Sequence, residues 1–299
     1  MALIPFDDRD GVIWFDGKLI PWREANVHVI CHGLHYGSAV FEGERAYEGQ
    51  IFKSKEHTAR LFKSAELLGM SIPFSQDEIN AAKEAVLKAN NLVDAYIRPV
   101  AWRGSEQMGI SAQATKTHVA IACWEWPSYF SPELREKGIS LKTSTWHKPA
   151  PDTAPCHAKA AGLYMINTLS KHQAEKDGYV DALMLDYRGN PVEATGANLF
   201  RIKNGVIRTP KPDCFLNGIT RQTVMQLAAE LGYSLEEETI TMDDLLAADE
   251  VFITGTAAEV TAIGKIDQTE YSVGPVTRAL RDAYESLVRG KPYKHSAAA

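Results

Sequence analysis

Short apolar runs separated by turn residues dominate the first part of the chain, and such runs predict β-strands. Asp16-Gly17 lies between the first two runs and is typical of a tight hairpin turn. The predicted strands cover residues 12–15, 18–21, 26–30, 39–47, 95–102 and 118–126. The hydrophobic spacing becomes helical over residues 54–70, and Ser75 with Glu78 forms a capping-box pattern ahead of a second helix. This part of the chain therefore predicts an α+β domain.

Residues 127–138 carry prolines and charges without a sustained period, which predicts a connection between domains. Beyond it the pattern predicts strands over 139–146, 181–186, 197–202, 205–209, 250–254 and 260–266, with helices after Lys159, over 219–231 and from Val276. We therefore predict a two-domain α+β / α/β fold. A small N-terminal domain would cover residues 1–126, residues 127–138 would link the domains, and a larger C-terminal domain would cover residues 139–299.

Composition narrows the class of function. The chain has 299 residues, which exceeds the usual single-domain size, and its 45% hydrophobic and 23% charged residues are typical of a globular protein. A formal net charge of -6 disfavours a nucleic-acid partner and favours a small-molecule substrate.

Cysteine usage and the N-terminus bear on location. The four cysteines form no CxxC pair, so neither a disulfide framework nor a zinc ribbon is indicated. The first residues are acidic where a signal peptide would be basic, and no apolar run approaches the length of a membrane span. We predict a cytoplasmic protein that does not associate with membranes.

Lys159 is the first candidate for chemistry, because small residues surround it in the segment HAKAAGLY. Small side chains on both sides would leave room for a bulky ring beside the backbone. The same residues would also suit the tightly packed start of a helix. This segment alone supports both interpretations equally.

Two glycine-containing turns are candidate anion-binding sites. The segment LNGITR (residues 216–221) leads directly into a predicted helix, whose free N–H groups and positive dipole end can hold a phosphate. The segment GTAA (residues 255–258) follows a strand and can form a backbone nest. Each turn alone is common in α/β proteins. Together with Lys159 they indicate a phosphorylated aldehyde cofactor, and Glu193 is the candidate carboxylate for its ring nitrogen. The alternative for Glu193 is a solvated residue at a hairpin edge.

The chain resembles the class IV pyridoxal-phosphate aminotransferases, and among them the bacterial branched-chain amino acid aminotransferases. The resemblance runs nearly end to end. It rests on six segments in family order: YGSAVFEGERAY, AYIRP, HAKAAGLYMIN, EATGANLF, LNGITR and ITGTAAEVT. It implies a two-domain fold type IV enzyme with pyridoxal 5'-phosphate as cofactor, a homodimer at least. The implied reaction transfers amino groups reversibly between L-leucine, isoleucine or valine and 2-oxoglutarate.

The resemblance also implies roles for individual residues. Lys159 would bind the cofactor covalently, Glu193 would pair with its pyridine nitrogen, and Tyr164 would lie beside its 3-oxygen. The other implied cofactor-binding residues are Arg60, Leu216, Gly218, Ile219, Thr220 and Thr256. The implied substrate-binding residues are Tyr36, Phe41, Gly43, Arg45, Tyr96, Arg98, Trp126, Thr256, Ala257 and Ala258.

The strand pattern also predicts which side chains would contact the substrate, because a strand places alternate side chains on one face. Tyr96 and Arg98 would point together, as would Phe41, Gly43 and Arg45. An aromatic wall would accept a branched aliphatic side chain, while Arg98 could meet the distal carboxylate of glutamate. Solvated arginines beside core aromatics are the alternative.

Three rival functions stay open at this stage. Transaminases of the same family that act on (R)-amines or on D-amino acids differ in their pocket residues. A non-enzymatic binding protein on the same scaffold is the rival from another class. The loop Ser105–Gly109 is more polar than the glycine and valine version common in the branched-chain enzymes, so the breadth of substrates also stays open.

His28, Cys31, His32 and His35 have the spacing of a helical metal site. We predict no metal there, because this segment is expected to be a strand that runs into a glycine turn and scatters the four side chains.

Overall fold

The computed structural model describes residues 4–126 and 131–293. Contacts divide these residues into two units. The first unit comprises the described residues up to 126 and the segment Ala158–Leu163, and the second comprises the rest. The domain boundaries expected from the sequence stay a prediction. The predicted boundaries do not include one feature of the structure. The segment Ala158–Leu163 belongs to the first unit, although it follows the predicted linker by some twenty residues.

The first unit is a seven-stranded sheet covered by helices. Its elements are β1 Val12–Phe15, β2 Lys18–Pro21, α1 His32–Tyr36, β3 Ala39–Phe41, β4 Glu44–Tyr47, β5 Gln50–Ile51, α2 Ser54–Leu67, α3 Gln76–Ala89, β6 Ala95–Arg103 and β7 Thr117–Glu125. The strands are ordered β2-β1-β7-β6-β4-β5, and β3 also pairs with β6. Helix α3 begins with the predicted capping box of Ser75 and Glu78. Apolar residues of α2 and α3 pack with strand residues such as Val40 and Ile97 to form the core.

The second unit is a nine-stranded mixed sheet. Its elements are α4 Pro132–Lys137, β8 Ile139–His147, α5 Met165–Lys176, β9 Asp181–Leu185, β10 Pro191–Ala194, β11 Asn198–Lys203, β12 Val206–Pro210, α6 Ile219–Glu230, β13 Leu235–Glu238, α7 Met242–Leu246, β14 Glu250–Gly255, β15 Glu259–Ile266, β16 Thr269–Glu270 and α8 Pro275–Val288. The strand order is β10-β9-β8-β15-β14-β11-β12-β13, and β10 also pairs with β11. This extra pairing, between Glu193 and Asn198, closes six of the strands into a ring.

Most elements expected from the sequence are present, and two expectations need correction. Residues 26–30 were expected to form a strand, but their side chains are exposed, and the chain turns there with the Cys31 amide bonded to the His28 carbonyl. The expected strand 39–47 is two strands, β3 and β4. Both strands pair with β6 in the same register. The pairing is interrupted between them at Pro99 of β6, because proline has no N–H to donate.

The predicted linker contains a short helix that was not predicted from the sequence. Residues 131–137 hold the short helix α4, capped by Ser131 with a proline in its first turn. The Ser-Pro pair was the signal that could have predicted it. Residues 127–130 of the predicted linker lie outside the described residues. No helix in the described part of the chain is long and apolar enough to cross a membrane.

A histidine between two carboxylates ties the loop that follows β6 to the sheet. His118 in β7 contacts Asp16 through Nδ1 at 2.6 Å and Glu106 through Nε2 at 3.2 Å. Asp16 is the hairpin residue predicted from the sequence, and its other oxygen accepts the Val119 amide at 2.8 Å. Burial lowers the pKa of His118, but the hydrogen bonds to Asp16 and Glu106 outweigh burial and raise it above its ordinary value.

This raised pKa predicts a pH-dependent contribution to stability. Protonated His118 stabilises the folded chain fully below the unfolded pKa of 6.5, and the contribution is lost as pH rises through the folded pKa. Between about pH 6 and about pH 9 we expect the wild type to lose more stability than His118→Gln. The difference should stay below about 1 kcal/mol, because solvent screens this partly exposed group. Urea unfolding at both pH values measures it, and an equal loss in both proteins would contradict the assignment.

Candidate functional site

The chain from Val40 to Ala46 sorts its side chains onto two faces of the first sheet, as the alternation of a strand requires. Glu42 and Glu44 point toward α2 and α3, where both carboxylates are fully buried. Phe41 and Arg45 take the other face. This alternation separates a buried ionic network from a face that carries aromatic and arginine side chains.

Glu42 is the centre of the ionic network. Its carboxylate accepts Nε and Nη2 of Arg60 at 2.7 and 2.8 Å, which is a bidentate ion pair. It also accepts Nδ1 of His57 at 2.7 Å and the Gly43 amide at 3.3 Å. Both helical residues come from α2, one turn apart. Four donors therefore fix a carboxylate that has no contact with solvent.

The contacts within this network determine the protonation states of Glu42 and His57. Burial raises the pKa of Glu42, but the guanidinium of Arg60 and the His57 hydrogen bond outweigh burial and hold this pKa well below its usual range. Burial lowers the pKa of His57 more than Glu42 raises it, so the imidazole is neutral near pH 7. The ion pair is therefore Glu42 with Arg60, and His57 supports it as a neutral donor.

Glu44 has its own partner. Lys83 of α3 donates to Glu44 at 2.8 Å, to the Ser54 carbonyl at 2.9 Å and to the Thr58 hydroxyl at 2.7 Å. Both charged side chains of this pair are fully buried. Burial raises the pKa of Glu44, and the ammonium of Lys83 opposes this rise.

The backbone of Lys159 is held on both sides. Its N–H donates to the Ser64 hydroxyl of α2 at 3.0 Å, and its carbonyl accepts the Phe41 amide at 3.1 Å. Val40 and Ala160 form an isolated antiparallel bridge, so this segment adds to the sheet beside β3. The Lys159 ammonium lies 4.9 Å from the centroid of the Phe41 ring. Lys159 thus shares the face of Phe41.

The small residues around Lys159 have a different cause from the one expected. Ala158 and Ala160 are 1% and 3% exposed and belong to the core that α2 and α3 form with the sheet. They are small because they pack beneath α2, rather than to leave room for a ring. The expectation that they make space for a cofactor is wrong for these two residues.

Arg98 lies among the aromatic residues on the same face. Its guanidinium is 4.8 Å from the Phe41 ring centroid and donates to the Tyr96 hydroxyl at 3.0 Å. The Tyr96 ring stacks on Trp124 at 5.1 Å and meets Trp126 at 5.0 Å. Nε of Arg98 is buried without a hydrogen-bond partner in residues 4–126 and 131–293. A buried donor of this kind suits an acidic ligand.

Gly43 and the remaining predicted residues complete the first unit. A Cβ at Gly43 would lie 2.0 Å from the Tyr96 hydroxyl, so only glycine allows this approach. Arg45 is buried opposite Tyr96 in the β4–β6 register and lies over the Tyr47 ring. Tyr36 lies on α1 and is 45% exposed, against the ring of His32. The structure therefore brings Phe41, Gly43, Tyr96 and Arg98 together with Trp126 and Lys159, but does not place Tyr36 among them.

Glu193 anchors a second group of polar residues, in the other unit. Lys148 Nζ lies 2.9 Å from its carboxylate and Asn198 Nδ2 3.4 Å from it, and both residues are buried. Burial lowers the pKa of Lys148, but Glu193 outweighs burial and raises it, so Lys148 is cationic. The expectation of a solvated Glu193 does not apply. Lys148 and Asn198 were missed, although Asn198 lies in the segment EATGANLF.

Asn198 also fixes the glycine turn before α6. It donates to the Leu216 carbonyl at 3.0 Å and accepts the Gly218 amide at 3.2 Å. A Cβ at Gly218 would lie 2.2 Å from the Asn198 side-chain oxygen, so this approach requires glycine. Ile219 and Thr220 form the first turn of α6, whose leading N–H groups have no partner within the helix. The helix start predicted after the LNGITR turn is therefore present, and Asn198 links it to Glu193.

Thr256, Ala257 and Ala258 form the turn between β14 and β15, and all three are half-buried. Next to them, the Thr254 hydroxyl is buried without a hydrogen-bond partner in the described part of the chain. Tyr164 precedes α5 and interacts electrostatically with Lys148.

The histidines that have the spacing of a metal site contact backbone carbonyl groups. The strand expected there is a short helix, α1, which contains His32 and His35. His32 contacts the Gly109 carbonyl at 3.0 Å and His35 the Val29 carbonyl at 2.9 Å. Over residues 4–126 and 131–293, no group of three or more histidine, cysteine or acidic side chains could hold a metal ion.

Comparison with known proteins gives consistent matches over nearly the whole chain. The family described as "Amino-transferase class IV" matches residues 39–266. A protein of Pseudomonas aeruginosa named "Branched-chain-amino-acid aminotransferase" is 47% identical over 97% of this chain and 96% of its own length.

Solved structures match equally well. A T.th. branched-chain amino acid aminotransferase with pyridoxamine 5'-phosphate has a TM-score of 0.92 at 40% identity, over 95% of this chain and 96% of that one. The same enzyme complexed with N-(5'-phosphopyridoxyl)-L-glutamate has a TM-score of 0.91 at 39% identity, again over 95% and 96%.

Proposed function

Because the chain belongs to the class IV aminotransferase family, we propose that it transfers amino groups reversibly between L-leucine, isoleucine or valine and 2-oxoglutarate. Its cofactor is pyridoxal 5'-phosphate, and its fold is the fold type IV expected from the sequence. The observation that carries the proposal is Lys159, whose backbone is held on the face that presents Phe41 and Arg98. The names of the similar proteins support the substrate class.

The residues present fit this cofactor. A carboxylate at Glu193 suits the pyridine nitrogen, the leading amides of α6 suit a phosphate, and Lys159 supplies an amine for the aldehyde. The glycine at position 218 permits close approach of the Asn198 side chain, which contacts both this turn and Glu193. When bound, pyridoxal 5'-phosphate supplies an electron sink for the negative charge that develops at the substrate α-carbon.

The protein residues have separate tasks. Lys159 would take the proton from the α-carbon of the substrate as a general base and deliver it to the cofactor as a general acid. Glu193, paired with Lys148, would hold a proton at the pyridine nitrogen. Tyr164 would donate to the 3-oxygen of the cofactor, and Leu216 would pack on the ring. Arg60 and the Ile219, Thr220 and Thr256 groups would bind the phosphate.

Two unlike substrates can use one set of side chains on the first unit. Phe41, Tyr96 and Trp126 offer apolar surface to a branched side chain. Arg98 offers a guanidinium with a buried Nε donor to the distal carboxylate of glutamate. The amides of Thr256, Ala257 and Ala258 would bind the α-carboxylate that all substrates share.

Lys159→Ala should lower the rate of leucine transamination with 2-oxoglutarate by at least about 10³-fold, because both the covalent anchor and the proton carrier are lost. The measurement is a steady-state assay, with borohydride reduction and mass mapping of the labelled lysine as a second readout. Lys63→Ala is the matched control, since Lys63 is an exposed lysine of α2. Normal turnover by Lys159→Ala would overturn the proposal.

Arg98→Ala should lower kcat/KM for glutamate by about tenfold or more and change the value for leucine by less than about threefold, because only glutamate carries a distal carboxylate. Arg98→Lys should recover part of the loss. Separate kinetics with the two amino acids measure the effect. Equal losses for both would mean that Arg98 supports the fold of this face without selecting glutamate.

We also propose a homodimer at least. Apolar side chains are exposed on two neighbouring parts of the first unit, among them Val29 at 65%, Leu34 at 67% and Ile110 at 85%. Light scattering should give at least twice the 33.0 kDa of one chain. A mass of one chain at micromolar concentration would contradict this proposal.

A cytoplasmic location is proposed as well. All four cysteines are unpaired and buried, as is usual for proteins of a reducing compartment. Fractionation of the source cells would check it.

A further inference from the structure

We propose that Glu42 is a positioning residue that makes the protein select the phosphorylated form of its cofactor, through its ion pair with Arg60. The inference rests on the proposed function, because it assigns the phosphate of pyridoxal 5'-phosphate to Arg60. It adds a second residue, buried behind Arg60, that determines how well the phosphate is bound.

The contacts show that Glu42 fixes the plane of the Arg60 guanidinium. Two parallel hydrogen bonds of 2.7 and 2.8 Å join the two groups edge to edge. The Glu42 carboxylate is itself held in place, because His57 and the Gly43 amide also donate hydrogen bonds to it. A free arginine side chain has rotamer entropy that the binding of an anion must remove. Here the fold has removed it in advance.

The donors of Arg60 can serve two partners. A guanidinium has five N–H donors in one plane, and Glu42 accepts two of them. The side chain of Arg60 is 18% exposed, whereas that of Glu42 is fully buried. The ion pair therefore uses one edge of the guanidinium, and the shape of this group allows its other donors to contact an anion at the same time.

A neutral glutamine cannot replace Glu42 in this role. Each carboxylate oxygen accepts at least one donor, Oε1 from Arg60 Nε and Oε2 from Arg60 Nη2, His57 Nδ1 and the Gly43 amide. In Glu42→Gln the amide NH₂ would face a donor at either position. One of the two bonds to Arg60 is then lost, and a single remaining bond no longer fixes the plane of the guanidinium.

The test compares pyridoxal 5'-phosphate with pyridoxal, which has the same ring and aldehyde but no phosphate. The full-length chain, freed of cofactor, is titrated with each compound, and binding is followed by visible absorbance. In Glu42→Gln we expect the dissociation constant of pyridoxal 5'-phosphate to rise about tenfold or more. The constant for pyridoxal should change by less than about twofold, because its binding makes no use of Arg60.

Three further variants separate positioning from general damage. Glu44→Gln breaks the neighbouring buried pair with Lys83 and should lower the melting temperature without changing the preference for the phosphorylated compound. In an Arg60→Met background, Glu42→Gln should have no further effect on this preference. Glu42→Asp keeps the buried charge if Glu42→Gln does not fold, and it should weaken the preference in the same direction.

The outcomes are distinct. If Glu42→Gln weakens binding of both compounds equally, or leaves the preference unchanged, the inference is wrong while the proposed function stands. An effect that persists in the Arg60→Met background would likewise overturn it. A wild-type chain that binds neither compound would overturn the proposed function and, with it, this inference.

Discussion

Two carboxylates buried in the core between a sheet and two helices are the constraint on which the first unit depends. Glu42 and Glu44 are fully buried, and an unpaired charge in such a place would cost several kcal/mol. Each must therefore have a cation from α2 or α3, which fixes Arg60 and Lys83 and the position of both helices over the sheet. Because strand residues alternate, burying these two glutamates turns Phe41 and Arg45 to the opposite face. The ionic core and the candidate substrate face are thus two sides of one strand segment.

The same constraint reaches Lys159 through α2. His57, Arg60 and Ser64 follow one another at spacings of three and four residues, which place them on one side of the helix. The first two bind Glu42, and the third accepts the backbone N–H of Lys159. A shift of α2 would therefore move the candidate anion ligand and the candidate catalytic lysine together. In the second unit, Asn198 likewise connects two candidate site elements, because its side chain contacts Glu193 and both ends of the Leu216–Gly218 turn.

The sequence predicted those parts of the fold that local chemistry determines. The capping box of α3, the Asp16-Gly17 hairpin and the helix after Gly218 are all present, because each depends on residues a few positions apart. Residues 26–30 misled the prediction, since an apolar run becomes a strand only if another strand is there to pair with it. Lys148 and His57 could not be assigned roles, because their partners are 45 and 15 residues away in sequence. Long-range pairing is not visible in a single sequence.

The two buried pairs differ in a way that suits only one of them to the phosphate-binding role proposed for Arg60. Lys83 has three N–H donors, and contacts with Glu44, Ser54 and Thr58 use all of them. Its ammonium is satisfied and fully buried, so it can only stabilise the fold. Arg60 has five donors spread over two edges of a plane, and Glu42 occupies one edge. A lysine at position 60 could contact both a carboxylate and an anion, but its ammonium has no planar edge that fixes its orientation by pairing with both carboxylate oxygens. An arginine can be oriented by the carboxylate along one edge and still offer its other donors to an anion, which is the role proposed for Arg60.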